Sequence, residues 1–204
     1  MKSNATSART RPAIRTLMRR RRRALGAGAQ QHASRALCRR ISRHPWFLLA
    51  KSVAAYIAQD GEIDPAPLLK LAQRAGKTGY LPTFRTLDGS MGFRPINRML
   101  VPGRFGIPEP LPVGPSRHAG KIDLILTPIV AFDASGNRLG MGGGYYDGTL
   151  TAVRDSCRSP RVLGIAHGIQ EVPALDAESW DIPMTAIATD RGWIPATGSR
   201  RSRL

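Results

Sequence analysis

The run IDLILTPIVAF, residues 122–132, is apolar for most of its length and is interrupted near its middle by Pro128. So short a run, without polar alternation, reads as a strand buried on both faces; Pro128 ends it, because proline has no amide to give to a ladder. Shorter strand-like runs stand at SVAAYIA (52–58), TGYLPT (78–83), MGFRPI (91–96), RVLGIAH (161–167) and MTAIATD (184–190). Helical patterns lie between them. Pro12 suits a first helical position, and Ile14, Leu17, Met18 and Leu25 then share one face, with Arg19–Arg23 mostly on the wet side. A second helix is expected over 30–42 on Ala33, Leu37 and Ile41. Asp64 and Pro65 open a third that carries Leu68, Leu69 and Ala72 and ends at Gly76. Pro and Gly scattered over 102–120 mark a long surface connection. Alternating strands and helices predict an α/β fold: a single-domain, three-layer sandwich with a largely parallel or mixed central sheet flanked by helices. Ligands of such folds collect at the carboxyl ends of strands.

A chain of 204 residues is long enough for one full core, burying about 70% of its unfolded surface. No run of about 18 apolar residues offers a membrane span. Cys38 and Cys157 are the only cysteines; two in a chain of this size read as reduced thiols, which places the protein in the cytoplasm. The net charge of +17 is unevenly spread. Residues 1–59 hold 14 basic side chains and no acidic one, and 191–204 hold four arginines and no acid, so the body between is close to neutral. An arginine-rich solvated helix with basic ends accounts for this pattern. A continuous basic face suited to RNA, or a transit peptide, would account for it too.

The segment NRLGMGGGYYDG (137–148) concentrates glycine, then aromatic and anionic groups. Glycines let a ligand approach backbone N–H groups closely, and a helix that starts just after them, within YYDGTLTAV, adds the positive end of its dipole; such a loop suits phosphate. It is neither a dinucleotide fingerprint, since Tyr145 stands at the third glycine position, nor a Walker A loop, since no Lys-Ser/Thr pair follows. A tight strand-to-helix turn would also explain the glycines. The flanks add chemistry: Arg138 is a bidentate donor for phosphate oxygens and Asp147 a ligand for the accompanying magnesium. His32, His44, His118 and His167 show no metal-ligand spacing.

FDASGNRLGMGGGYYD resembles the signature of the 5-formyltetrahydrofolate cyclo-ligase family. IRTLMRRRRRAL, AAYIAQDGEID, GYLPTF, the M-G-F at 91–93, GIPEP (106–110) and WDIPMTAIATD agree in order and spacing. The resemblance spans about residues 11–191, so the chain is expected to comprise a flexible basic segment (1–10), a cyclo-ligase domain (11–191) and a basic tail (192–204). It implies ATP- and magnesium-dependent closure of 5-formyltetrahydrofolate to 5,10-methenyltetrahydrofolate, with natural substrates carrying polyglutamate tails that basic residues would welcome; a monomer is the default expectation. The alternative is a non-catalytic relative on the same fold that binds RNA through its arginine-rich N-terminus; nucleic acid and membrane partners are not expected of the enzyme.

Carried over residue by residue, the resemblance implies that Arg11, Arg15 and Arg138, with the Gly140, Met141, Gly142, Gly143 and Gly144 loop and Tyr145, hold ATP. Arg138, Tyr145 and Asp147 are the implied catalytic residues, and Asp147 with Asp181 the implied magnesium ligands. Glu62 would accept the paired donors of the pterin, inside walls formed by Tyr56, Phe84, Met91, Phe105, Tyr145 and Tyr146. Tyr145 and Tyr146 point about 100° apart on a helix, so one of the two is expected to face ligand. Departures from the family pattern are Arg11 and Gly143, where lysine is common, Trp180 for a frequent histidine and Thr185 for an acid.

Overall fold

The computed structural model describes residues 10–84, 91–96, 99–154, 160–176, 178 and 184–195, with backbone alone over 152–154. Helix α1 (Arg11–Arg23) carries Pro12 in its first turn, where a missing amide costs no hydrogen bond. Helices α2 (Ala27–Ser42) and α3 (Pro45–Leu49) follow, and strand β1 (Ser52–Ala54) enters the sheet. Helix α4 (Ala66–Arg74) returns the chain to β2 (Thr78–Thr83), and β3 is Gly92–Pro95. Next come β4 (Leu100–Pro102), β5 (Pro108–Pro110), β6 (Leu124–Pro128), β7 (Ala131–Phe132) and β8 (Arg138–Leu139). Helix α5 (Tyr145–Arg154), β9 (Arg161–Ala166), β10 (Ala186–Thr189) and β11 (Trp193–Pro195) complete the order.

Seven strands form one sheet in the order β11-β10-β9-β6-β1-β2-β3. The five inner strands are parallel, while β3 and β11 run antiparallel at the two edges, so the sheet is mixed. Strand period 2 divides the buried residues between two cores. Val53, Leu81, Leu124, Leu126, Leu163, Ile165, Ala186 and Ala188 meet Ala33, Leu37 and Ile41 of α2 and Leu68, Leu69 and Ala72 of α4. The alternate residues Ala54, Tyr80, Ile125, Val162 and Ile187 face the other way and pack with Leu150 of α5. These are the three layers expected. Ile14 and Met18 of α1 form a third cluster with Val130, Ala131 and Leu139, which seats α1 on the β7–β8 hairpin.

Asp64 Oδ1 accepts the Ala66 N–H at 2.9 Å, so it caps α4 from two residues before its first residue, and Gly76 follows that helix at φ +74. Two expectations change. The strand anticipated over 52–58 stops at Ala54, because the chain leaves the sheet there to wall a cavity. The connection anticipated over 102–120 includes β5, which pairs antiparallel with β4 just before it in a hairpin of register Leu100↔Pro110. Its prolines sit on a two-stranded ribbon, where a missing amide is tolerated. Buried Glu109 ties the ribbon to the main sheet, accepting from Thr83 Oγ1 at 2.6 Å and from the Arg104 N–H at 3.1 Å. No helix among the described residues is long and apolar enough to cross a membrane.

Candidate active site

After β1 the chain crosses to β2 on one side, and β6 later lies against β1 on the other, so the direction of winding reverses between β1 and β6. Carboxyl ends of strands at such a point diverge and leave a crevice. A cavity of about 460 Å³ opens there. Tyr56 and Glu62 beyond β1, Pro82 and Phe84 at the end of β2, Pro128 of β6, and residues 140–147 line it.

The glycine loop is presented by a hairpin whose turn is built by one carboxylate. Asp133 Oδ1 accepts the N–H groups of Ser135 (3.0 Å) and Asn137 (2.9 Å), and Oδ2 accepts Asn137 Nδ2 at 2.9 Å. Its register, Phe132↔Arg138, projects Arg138 beneath the loop. Gly142 (φ +94) and Gly144 (φ +70) then adopt backbone that L side chains rarely take. Met141, Gly142, Gly143 and Gly144 are exposed, and α5 starts at once after them, with Asp147 in its first turn. Arg138 Nη2 forms an ion pair with Asp147 Oδ1, and Arg15 Nε donates to the Gly140 carbonyl at 2.9 Å. Two arginines therefore flank an open loop that ends at a helix N-terminus, the geometry of an anion site.

Opposite the loop, Asp60 (φ +52) and Gly61 (φ +74) make a left-handed turn that presents Glu62. Gly61 is required: an added Cβ would lie 2.9 Å from the Arg22 carbonyl oxygen and 3.0 Å from the Arg23 Cα. Burial pushes the Glu62 carboxyl up, and Arg22, 3.5 Å away, works against that. The Gln59 N–H also donates to Glu62, at 3.1 Å. Tyr56 is buried, its hydroxyl donating to the Ile63 carbonyl at 2.7 Å. Phe84, Phe105 and Tyr145 meet edge to face with centroids 5.2–5.9 Å apart and form an aromatic wall.

The profile of the 5-formyltetrahydrofolate cyclo-ligase family matches residues 7–190. The chain belongs to this family. The cyclo-ligase of Escherichia coli is 38% identical over 178 residues, covering 85% of this chain and 96% of that protein. That of Haemophilus influenzae is 35% identical over 180 residues, 84% of this chain and 92% of its own. The solution structure of Aquifex aeolicus 5,10-methenyltetrahydrofolate synthetase superposes with a TM-score of 0.80 at 27% identity, over 95% of this chain and 96% of that one.

Set against what the cyclo-ligase resemblance implies, Tyr56, Glu62, Phe84, Phe105, Arg138, the Gly140, Met141, Gly142, Gly143 and Gly144 loop, Tyr145, Tyr146 and Asp147 all line one cavity. Arg15 adjoins it through the loop. Both tyrosines face the cavity, because the cavity wraps around the first turn of α5 and takes in residues 100° apart. Arg11 does not itself line the cavity; its Nη1 donates to the Asp176 carbonyl at 3.0 Å. Met91 is a core residue, 1% exposed, whose N–H donates to Thr149 Oγ1 at 3.0 Å. Asp181, Trp180 and Cys157 lie outside the described residues.

The arginine run lies mostly on the wet side as expected, with Arg20, Arg21 and Arg23 exposed, and departs from it at Arg22. Arg22 is fully buried, and Arg19, Arg22 and Arg23 all pair with Asp60, at 2.6, 2.9 and 3.3 Å. Three of the five arginines thus have an internal partner, which runs against a continuous basic face for RNA. Helical period would have found Arg22, which stands four residues after Met18 and eight after Ile14 on the buried face.

Proposed function

We propose that the protein converts 5-formyltetrahydrofolate to 5,10-methenyltetrahydrofolate, using ATP and magnesium and releasing ADP and phosphate, with residues 11–191 as the catalytic unit. The observation that carries this reading is a single cavity in which the Glu62 carboxylate, an aromatic wall and an arginine-flanked glycine loop face one another. Glu62 would accept the adjacent N–H donors of the pterin, and Phe84, Phe105 and Tyr145 would cover its faces. The N–H groups of the loop, Arg138 and Arg15 would hold the triphosphate.

The formyl group is amide-like, so its carbon is a poor electrophile and its oxygen a poor leaving group. Transfer of the γ-phosphoryl to that oxygen repairs both defects; N10 then attacks the carbon and phosphate leaves. The residues contribute positioning and charge neutralisation rather than a nucleophile. The fit to magnesium rests on Asp147. Among the described residues no cluster of three or more His, Cys, Asp or Glu side chains forms a cage, and magnesium beside nucleotides takes one or two carboxylates and completes its shell with phosphate and water. When bound, the ion would neutralise phosphate charge. Asp147 and Arg138, now paired with each other, are the carboxylate and guanidinium such a complex would draw apart, one toward cation and one toward phosphate. Purified protein incubated with 5-formyltetrahydrofolate, ATP and magnesium should form ADP as the methenyl chromophore grows, each dependent on all three additions. ADP formation that ignores the folate, or no turnover at all, would refute the proposal.

A further inference from the structure

Arg22 has no counterpart among the residues assigned above. It is completely buried just beneath the cavity floor. Its Nε donates to the Asp60 carbonyl at 2.9 Å and its Nη2 to Asp60 Oδ2 at 2.9 Å, while Nη2 lies 3.5 Å from Glu62 Oε1. Among the described residues its Nη1, also buried, has no hydrogen-bond partner. A guanidinium in such a place is costly, because burial disfavours charge and each unmade hydrogen bond adds to the penalty. Nor is it needed to neutralise Asp60, which Arg19 and Arg23 also reach from the solvent side. Glu62, by contrast, has no other cation within ion-pair distance among the described residues.

We propose that Arg22 is a positioning residue, holding Glu62 ionised and aimed across the cavity at the pterin edge of the substrate. The proposal rests on the folate reading above. Glu62 is surrounded by groups that leave this task to Arg22. Asp60 repels its charge, Arg19 attracts it from farther out, and the hydroxyls of Tyr56 and Tyr146 are neutral at pH 7, both pushed up by burial. Burial is the largest influence on Glu62 and raises it; the Arg22 charge is the largest that opposes it. The turn itself has further supports. Gln30 Nε2 donates to the Gly61 carbonyl at 3.2 Å, and His167 Nε2 stands 3.2 Å from the same oxygen. Removing the Arg22 charge therefore leaves the backbone of the turn clasped from α2 and from the end of β9.

The test reads the ionisation of Glu62 and the two substrates separately. In Arg22→Met, the carbon-13 resonance of the Glu62 carboxyl in the ligand-free protein should titrate about 1–3 pH units higher than in the parent, the usual effect of a close opposite charge. In turnover, kcat/KM for 5-formyltetrahydrofolate should fall below that of the parent at pH values under the raised Glu62 titration and recover above it, while KM for ATP stays within about twofold. Arg22→Lys, which keeps the charge, should restore most of the loss. In a Glu62→Gln background, Arg22→Met should add less than about a twofold effect, because the group it acts through is gone. Should Arg22→Met not fold, Arg22→Gln retains a donor for the Asp60 carbonyl without the charge and should show the same titration shift. An unmoved Glu62 titration, a loss undiminished in the Glu62→Gln background, or an equal rise in KM for ATP would overturn the role of Arg22 alone. A Glu62→Gln protein with unchanged KM for the folate would overturn the pterin reading, and the role of Arg22 with it.

Discussion

Replacing Gly142 by alanine tests the glycine loop directly, and Gly140→Ala supplies an internal control. Gly142 holds φ +94, and a Cβ there would sit 3.4 Å from the Arg15 guanidinium carbon, an ordinary contact. Its cost is therefore conformational, about 1–3 kcal/mol for an L residue held in so sparsely populated a region. Gly142 is exposed, so in the free protein the loop relaxes and the melting temperature should move by no more than about 1–2 °C. Binding phosphate through the loop amides requires the strained backbone, and the cost returns as weaker nucleotide affinity: about 5- to 150-fold in KM for ATP, since each 1.36 kcal/mol is tenfold. KM for the folate should be unchanged. A Cβ on Gly140, whose φ is not positive, would meet only Arg138 Nη1 at 3.7 Å, and Gly140→Ala should change KM for ATP less than about threefold. The assay is initial-rate kinetics of methenyl formation with ATP varied at saturating folate. Equal effects of the two substitutions, or a Gly142→Ala enzyme with parental KM for ATP, would refute the claim that the loop backbone grips phosphate.

Removing the Arg138 guanidinium in Arg138→Met should lower kcat/KM for ATP by roughly 10–100-fold, the scale of a charge-assisted hydrogen bond, with KM for the folate nearly constant in the same kinetics. Gly61→Ala meets both backbone strain and a 2.9 Å clash with the Arg22 carbonyl, and should destabilise the fold by about 2–4 kcal/mol in urea titrations. Burial lowers the His167 pKa below 6.5. The unfolded chain therefore binds a proton that the folded chain resists, and stability should decline as pH falls below 6.5 toward the folded value. His167→Gln should flatten that slope in unfolding free energies measured across pH, leaving the part due to His44, whose pKa burial also lowers.

Elements whose pattern is set by local chemistry were legible from residue order. The apolar run at 124–128, the Leu68, Leu69 and Ala72 face of α4 with Asp64 before it and Gly76 after it, and the start of α5 at Tyr145 all lie where expected. Each carries its signal within a few residues: a continuous apolar stretch, a 3.6 period, a cap, a glycine stop. The β4–β5 hairpin escaped because prolines disguise its strands, and the outer half of SVAAYIA because strand propensity does not reveal where a chain must turn into a cavity. Met91 reads the same in sequence whether it lines a pocket or fills a core. Its neighbours in the second core decide for the core.

Residue order by itself determined the α/β architecture, the existence of a glycine loop feeding a helix, and the family to which both belong, because periodicity, backbone freedom and capping act over a turn or two of chain. Tertiary structure alone decided which charges face one another. It buried Arg22 beside Glu62 and tied Arg11 to the Asp176 carbonyl. Those outcomes depend on contacts between elements dozens to more than a hundred residues apart, where Coulomb and desolvation energies follow distance in space and are indifferent to separation along the chain.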